Sequence, residues 1–194
     1  MLGMSLSAAC ATLPPRDADN ICSIFREKRD WLNDAESARE RWGVPEAVQL
    51  AIIHQESTFQ SKARPARGTF LWVFPGARPT SAYGYGQVVD GTWSLYERST
   101  GRSGASRSDF GDVTDFIGWY AHNIQETTGI PKHDAYRLYI AYHEGPQGYK
   151  RGTHKAKGWL TQVAEKVKTR ANRYQRQFDG CKADLPRGSW FWPF

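Results

Sequence analysis

At 194 residues, with 8 tryptophans, 9 tyrosines and 9 phenylalanines, the chain is long enough to enclose one sizeable core, and no break in composition marks a second domain. A net charge of +6 suits an anionic polymer such as nucleic acid or cell-wall material, but no zinc-finger spacing, ribonucleoprotein-type signature or recognition helix points to nucleic acid. The histidines and cysteines show no metal-ligand spacing and there is no H-E-x-x-H, so neither a metal nor another cofactor is expected.

Residues 1–10 run through small side chains into a cysteine after a short apolar stretch. This resembles the end of a bacterial lipoprotein signal and makes Cys10 a candidate lipidation site, although the apolar stretch is short and no basic segment precedes it. Residues 11–20, with Pro14 and Pro15, read as a tether. The expected organisation is therefore a signal remnant and tether over 1–20, a folded domain over 21–185 and an aromatic tail over 186–194. That tail is too short to span a membrane; it suits covering an apolar patch of the domain or dipping into a bilayer interface. Cys22 and Cys181 lie near the two ends of the domain, and read as a disulfide in an exported, oxidising compartment or as two buried thiols in a reducing one.

Residues 20–42 carry an amphipathic pattern (Ile21, Ile24, Phe25, Trp31, Leu32, Ala35) that predicts one or two helices packing by one face, ended by Gly43. Pro45 then opens a helix over about 45–54 in which Ala47, Val48, Leu50, Ala51, Ile52 and Ile53 cover most of the circumference. Such a helix belongs in the core, and Glu56 stands at its end. Desolvation and the negative end of the helix dipole both press a carboxyl there towards its neutral form, which a general acid near neutral pH requires. The plainer alternative is a capping or ion-paired glutamate.

Residues 61–81 interleave Lys62, Arg64, Arg67 and Arg78 with Phe70, Leu71, Trp72, Val73 and Phe74 between prolines and a glycine, and predict a short β-hairpin or irregular flap. In Tyr83-Gly84-Tyr85-Gly86-Gln87, alternating glycines and tyrosines allow close backbone approach and present rings, as a sugar-binding subsite does. Helices follow over about 92–99, 113–127 and 134–142, separated by a polar loop at 101–108 and by Gly129-Ile130-Pro131. A closing helix over 159–178 places Leu160, Val163, Ala164, Val167, Ala171, Tyr174 and Phe178 on or near one face. Trp31, Trp42 and Trp119 read as core.

Three separated stretches then align with one family. Glu56-Ser57 followed by Phe59, Gly84-Tyr85-Gly86-Gln87, and Ala141-Tyr142-His143-Glu144-Gly145 resemble, in this order, the Glu-Ser, Gly-Leu-Met-Gln and Ala-Tyr-Asn-x-Gly motifs of the soluble-lytic-transglycosylase (SLT) family. The resemblance covers about residues 43–150. It implies a mainly α, lysozyme-like (goose-type/SLT-like, α+β) fold with a small β or irregular flap, and peptidoglycan glycan strands as partner. It also implies Glu56 as catalytic acid/base, with Ser57, Tyr83, Gly84, Tyr85, Gln87, Tyr142 and His143 around the substrate. Two departures stand out: Tyr85-Gly86 replaces Leu-Met, and His143 replaces Asn.

The family's chemistry cleaves the bond between N-acetylmuramic acid and N-acetylglucosamine with one carboxyl group, where ordinary glycosidases use two. The implied product is a 1,6-anhydromuramic end. Asp90, close to where goose-type lysozymes have acidic residues, keeps a hydrolytic muramidase open as a possible second acid; as a helix cap it has a simpler role. A non-catalytic wall-binding envelope protein is the reading from a different class. The expected location is the periplasm, lipid-anchored through Cys10, with the outer membrane favoured over the inner.

Overall fold

A helix that is apolar on every side has to be enclosed, and in α3 (Glu46–Ser57) every residue from Glu46 to Ile53 is buried. Two of its buried polar side chains find partners inside the protein, although the Gln49 amide oxygen is left without one. The Glu46 carboxylate accepts from Arg39 Nε at 2.8 Å, and the Gln49 amide donates to the carbonyls of Ala35 and Val44 at 3.1 and 2.9 Å. These contacts come from a computed structural model that describes residues 13–65, 69–70, 74–75 and 80–186.

Around α3 the chain lays α1 (Ile21–Glu27), α2 (Arg29–Trp42), α4 (Asp90–Thr100), α5 (Phe110–Thr128), α6 (Ala135–Glu144), α7 (Pro146–Arg151) and α8 (Gly158–Cys181). Between α3 and α4 stands an antiparallel hairpin, β1 (Thr69–Phe70) with β2 (Phe74–Pro75), in the register Thr69 to Pro75 and Phe70 to Phe74. The fold is mainly α and lysozyme-like with a small β flap, as expected. The lipidation candidate Cys10 and the aromatic tail beyond Pro186 lie outside the described residues. No described helix is long and apolar enough to cross a membrane.

Several boundaries differ from the sequence pattern, each for a local reason. The 20–42 stretch divides at Lys28, which closes α1 and opens α2. α5 starts at Phe110 rather than Val113 because the Asp109 side chain caps it, accepting from the Asp112 N–H at 3.0 Å. α4 starts at Asp90 rather than Thr92, so Asp90 is the first helical residue and makes no capping bond. α7 has no counterpart in the sequence pattern; Pro146 supplies its first position.

One buried carboxylate locks three of the helices. Asp115 on α5 accepts from Trp42 Nε1 of α2 at 2.8 Å and from Tyr96 Oη of α4 at 2.7 Å, and Arg41 and Arg102 each approach it at 3.2 Å. Trp31 and Trp119 are buried, and Trp42 is half-buried against the core. On the other side α8 packs Leu160, Ala164, Val167, Ala171, Tyr174 and Phe178 inward at helical spacing, against α3 and α6. Its last residue, Cys181, is joined to Cys22 of α1 by a disulfide, and Gln177 Oε1 accepts from the Ile21 N–H at 3.1 Å.

The disulfide closes nearly the whole domain into one loop, so it removes chain entropy from the unfolded state chiefly. Cys22→Ala/Cys181→Ala should lose about 2–4 kcal/mol, seen in a thermal scan as a melting point lower by roughly 5–15 °C.

Candidate active site

α3 ends abruptly where the chemistry-bearing residues begin. Thr58 and Phe59 both adopt left-handed backbone, at φ 49° and 60°, and the Thr58 N–H closes the helix on the His54 carbonyl at 2.9 Å. A β-branched residue there costs about 1 kcal/mol or more. The turn swings the Phe59 ring fully into the core, against Trp31 at 5.7 Å and His54 at 5.8 Å. Glu56 is thereby left in the last turn, walled by protein yet with part of its side chain open to solvent.

Burial raises the Glu56 pKa from its ordinary 4.5 to about 7, against a smaller opposing effect from a hydrogen bond with Tyr139. Among the described residues no second carboxylate and no cation acts on it. Tyr139 of α6 is buried, and its own ionisation is pushed up by burial and by Glu56. Tyr142, at i+3 on the same face of α6, is pushed up the same way. Its hydroxyl donates to the Gly86 carbonyl at 2.8 Å, so only its lone pairs remain for neighbours. Tyr120, raised to about 12 by burial, packs edge-on against Tyr142 at 5.5 Å and completes the aromatic enclosure.

The 83–88 loop meets this wall through Gly86, where a Cβ would lie 3.0 Å from the Tyr142 hydroxyl oxygen. Arg107, from the polar 101–108 loop, organises the segment. Its carbonyl accepts from the Tyr85 N–H at 3.1 Å, and its Nη1 donates to the carbonyls of Ser81 and Val88 at 3.2 and 2.7 Å. At Gly84 (φ 77°) a Cβ would sit 1.9 Å from that Arg107 carbonyl oxygen, so only glycine fits. The Tyr83 ring lies beneath the guanidiniums of Arg64 and Arg107, 4.2 and 5.5 Å from its centroid.

The sequence candidates are thus not all gathered at one surface. Glu56, Tyr142 and the Gly86 backbone converge. Ser57 is buried and its hydroxyl donates to the Ile53 carbonyl at 3.2 Å, within its own helix. The Tyr85 ring is core, edge-on to Trp31 and Phe110 at 5.7 Å each, with its hydroxyl pushed up to about 12 by burial. Gln87, half-buried at φ 47°, spends its amide N–H groups on the Ala63 and Gly84 carbonyls at 2.9 Å each. His143 is exposed, with Nδ1 at 3.0 Å from Glu144 Oε1. Asp90 is exposed and ion-paired with Arg107 Nη2 at 2.7 Å.

Two residues that shape the candidate site escaped the sequence reading. Tyr139 was signalled only by its i, i+3 spacing from Tyr142, and Arg107 by nothing beyond a polar loop. In comparison with known proteins, a family model described as a transglycosylase SLT domain matches residues 1–181. Among curated proteins none matches the chain.

A carboxyl that is harder to ionise when folded leaves stability untouched below about pH 4.5, where both states are protonated, and costs increasingly as the pH rises to about 7. Glu56→Gln should therefore melt with wild type at pH 4 but above it at pH 8, by up to about 3 kcal/mol in a denaturant titration.

Proposed function

This chain belongs to the transglycosylase SLT domain family, and on that premise we propose that it is a peptidoglycan lytic transglycosylase with Glu56 as its one acid and base. The observation that carries the reading is a single carboxyl, raised to about 7 in an aromatic enclosure, with no second carboxylate acting on it among the described residues. Two-carboxylate glycosidases place their partner acid within about 5–10 Å. Asp90, the candidate for that role, is instead engaged by Arg107, which favours the transglycosylase over the hydrolytic muramidase.

In this reaction the protonated Glu56 donates to the glycosidic oxygen between N-acetylmuramic acid and N-acetylglucosamine as the C1–O bond breaks. The carbonyl oxygen of the muramic N-acetyl group stabilises the positive charge that develops at C1. The Glu56 carboxylate then takes the proton of the muramic C6 hydroxyl while that oxygen bonds to C1. The acid is regenerated, no water is consumed, and the strand ends in 1,6-anhydromuramic acid. Tyr139 holds the carboxyl in place through both half-reactions. The Gly84–Gln87 backbone, pinned by Arg107 and Tyr142, forms the wall against which the sugar rests. The positive net charge favours approach to anionic wall polymers.

The Cys22–Cys181 disulfide supports action in an oxidising, extracytoplasmic compartment. We extend the proposal to a periplasmic location, with lipidation at Cys10 as the means of anchoring.

Mass spectrometry of muropeptides released from purified sacculi tests the chemistry. Wild type should release anhydro-ended products and Glu56→Gln none; reducing-ended products would replace the transglycosylase with a hydrolase. Because the reaction starts from the protonated acid, kcat/KM should fall as pH rises through about 7. Tyr139→Phe removes a hydrogen bond that favours the carboxylate, so it should move that alkaline limb to higher pH while lowering kcat.

A further inference from the structure

The described surface carries four large exposed apolar side chains, Leu13, Val89, Leu95 and Trp159, and Trp159 is the only aromatic among them, with 53% of its surface in water. It stands in the first turn of α8, directly before the fully buried Leu160. Helix packing therefore does not require an indole at this position. The ring instead meets His143, edge to face, with centroids 5.1 Å apart.

His143 has a fixed relation to Glu56. Tyr139, Tyr142 and His143 occupy positions i, i+3 and i+4 of α6 and share one face. The inner end of that face bonds Glu56 through Tyr139, and its outer end is the exposed His143. The face therefore leads from the acid to solvent and ends against Trp159.

The pair is also held rigidly. Glu144, whose side chain is almost fully buried, accepts from Lys157 Nζ at 2.7 Å, from Thr153 Oγ1 and from His143 Nδ1 at 3.0 Å. Burial opposes its ionisation, but these hydrogen bonds prevail and bring its pKa down to about 2, so the anchor is anionic at every working pH. A carboxylate only accepts, so His143 carries its proton on Nδ1. In the neutral ring Nε2 is then a free acceptor, with no hydrogen-bond partner among the described residues.

We propose that Trp159 and His143 form an outer saccharide subsite, where the indole stacks on the apolar face of a glycan-strand sugar and His143 Nε2 accepts from one of its hydroxyls. An exposed aromatic beside a fixed polar atom matches the two-sided chemistry of a pyranose ring. The subsite extends substrate contact from Glu56 along α6 to α8. It deepens the glycan-cleaving reading of Glu56 and rests on it for the identity of the polymer.

The test uses peptide-free glycan strands prepared from sacculi, with strand binding measured in the Glu56→Gln background and turnover in the active enzyme. Trp159→Ala should weaken strand binding about three- to tenfold. It should raise KM on long strands by a similar factor with little change in kcat, and Trp159→Phe should recover most of the loss. A disaccharide, which holds only the two sugars flanking the scissile bond, should show the smaller penalty. Because the side chain is exposed, the melting point serves as the folding control. Unchanged strand affinity, or equal penalties on short and long substrates, overturns the subsite while leaving cleavage by Glu56 standing. If wild type releases no anhydro-ended products but Trp159→Ala still weakens binding, the subsite survives and the cleavage reading falls.

Discussion

The desolvation of one carboxyl group is the constraint on which this molecule turns. Glu56 costs the fold stability whenever it ionises, and the structure tolerates that cost because α3, apolar around its whole circumference, is buried so completely. The same burial that fixes the helix as the centre of the core desolvates the residue at its end. Core packing and acid strength are one physical fact here. Asp34 shows that burial alone does not make an acid of this kind. Its pKa is also raised to about 7, by burial first, but with Asp109, Asp30 and Asp112 adding to it, whereas only burial raises Glu56. A carboxyl crowded by other carboxylates cannot present an isolated proton.

Two long-range clamps convert that buried acid into a shaped site. The first is the Tyr142 hydroxyl on the Gly86 carbonyl, which ties α6 to the loop before α4 across a large sequence separation. The second is Arg107, which binds three parts of the 81–90 segment with its side chain and a fourth with its carbonyl. Glycine is demanded at Gly84 by the Arg107 backbone, and at Gly86 a Cβ would press tightly on the Tyr142 hydroxyl, so the spacing of the Gly-Tyr-Gly motif records the approach of two other chain segments. Rigidity is the benefit. A general acid contributes only when its proton lies within hydrogen-bond reach of the bond it protonates.

What the sequence made legible follows periodicity. α3, α8 and the position of Glu56 were readable because burial on every side, or on one side, leaves a pattern in the order of residues. The direction of a ring in a glycine-rich loop leaves no such pattern. Tyr83 and Tyr85 look equivalent in sequence, yet one lies beneath two guanidiniums and the other is packed between Trp31 and Phe110. Asp90 looked like a helix cap, but the helix starts one step earlier and Arg107, distant in sequence, takes its charge. Tyr139 was hidden for the opposite reason. An aromatic on the buried face of an amphipathic helix is usually core, and only the end of α3 arriving against it gives its hydroxyl work.

A solitary acid also limits what the proposed reaction can be. With no second carboxylate acting on Glu56 among the described residues, the proposed reaction draws its base from the group that has just given up its proton. The substrate must then bring both missing parts, an acyl oxygen to meet the charge at C1 and a hydroxyl able to close on the same carbon. N-acetylmuramic acid carries both, in its N-acetyl group and its C6 hydroxyl. N-acetylglucosamine carries the same two groups, so the choice between the two sugars must come from contacts rather than from the chemistry. A separate task of the binding surface is that of gripping a long polymer. Exposed, well-anchored side chains away from the acid, such as Trp159 held against His143, suit that task because they add affinity without disturbing the dry surroundings that set the acid's pKa.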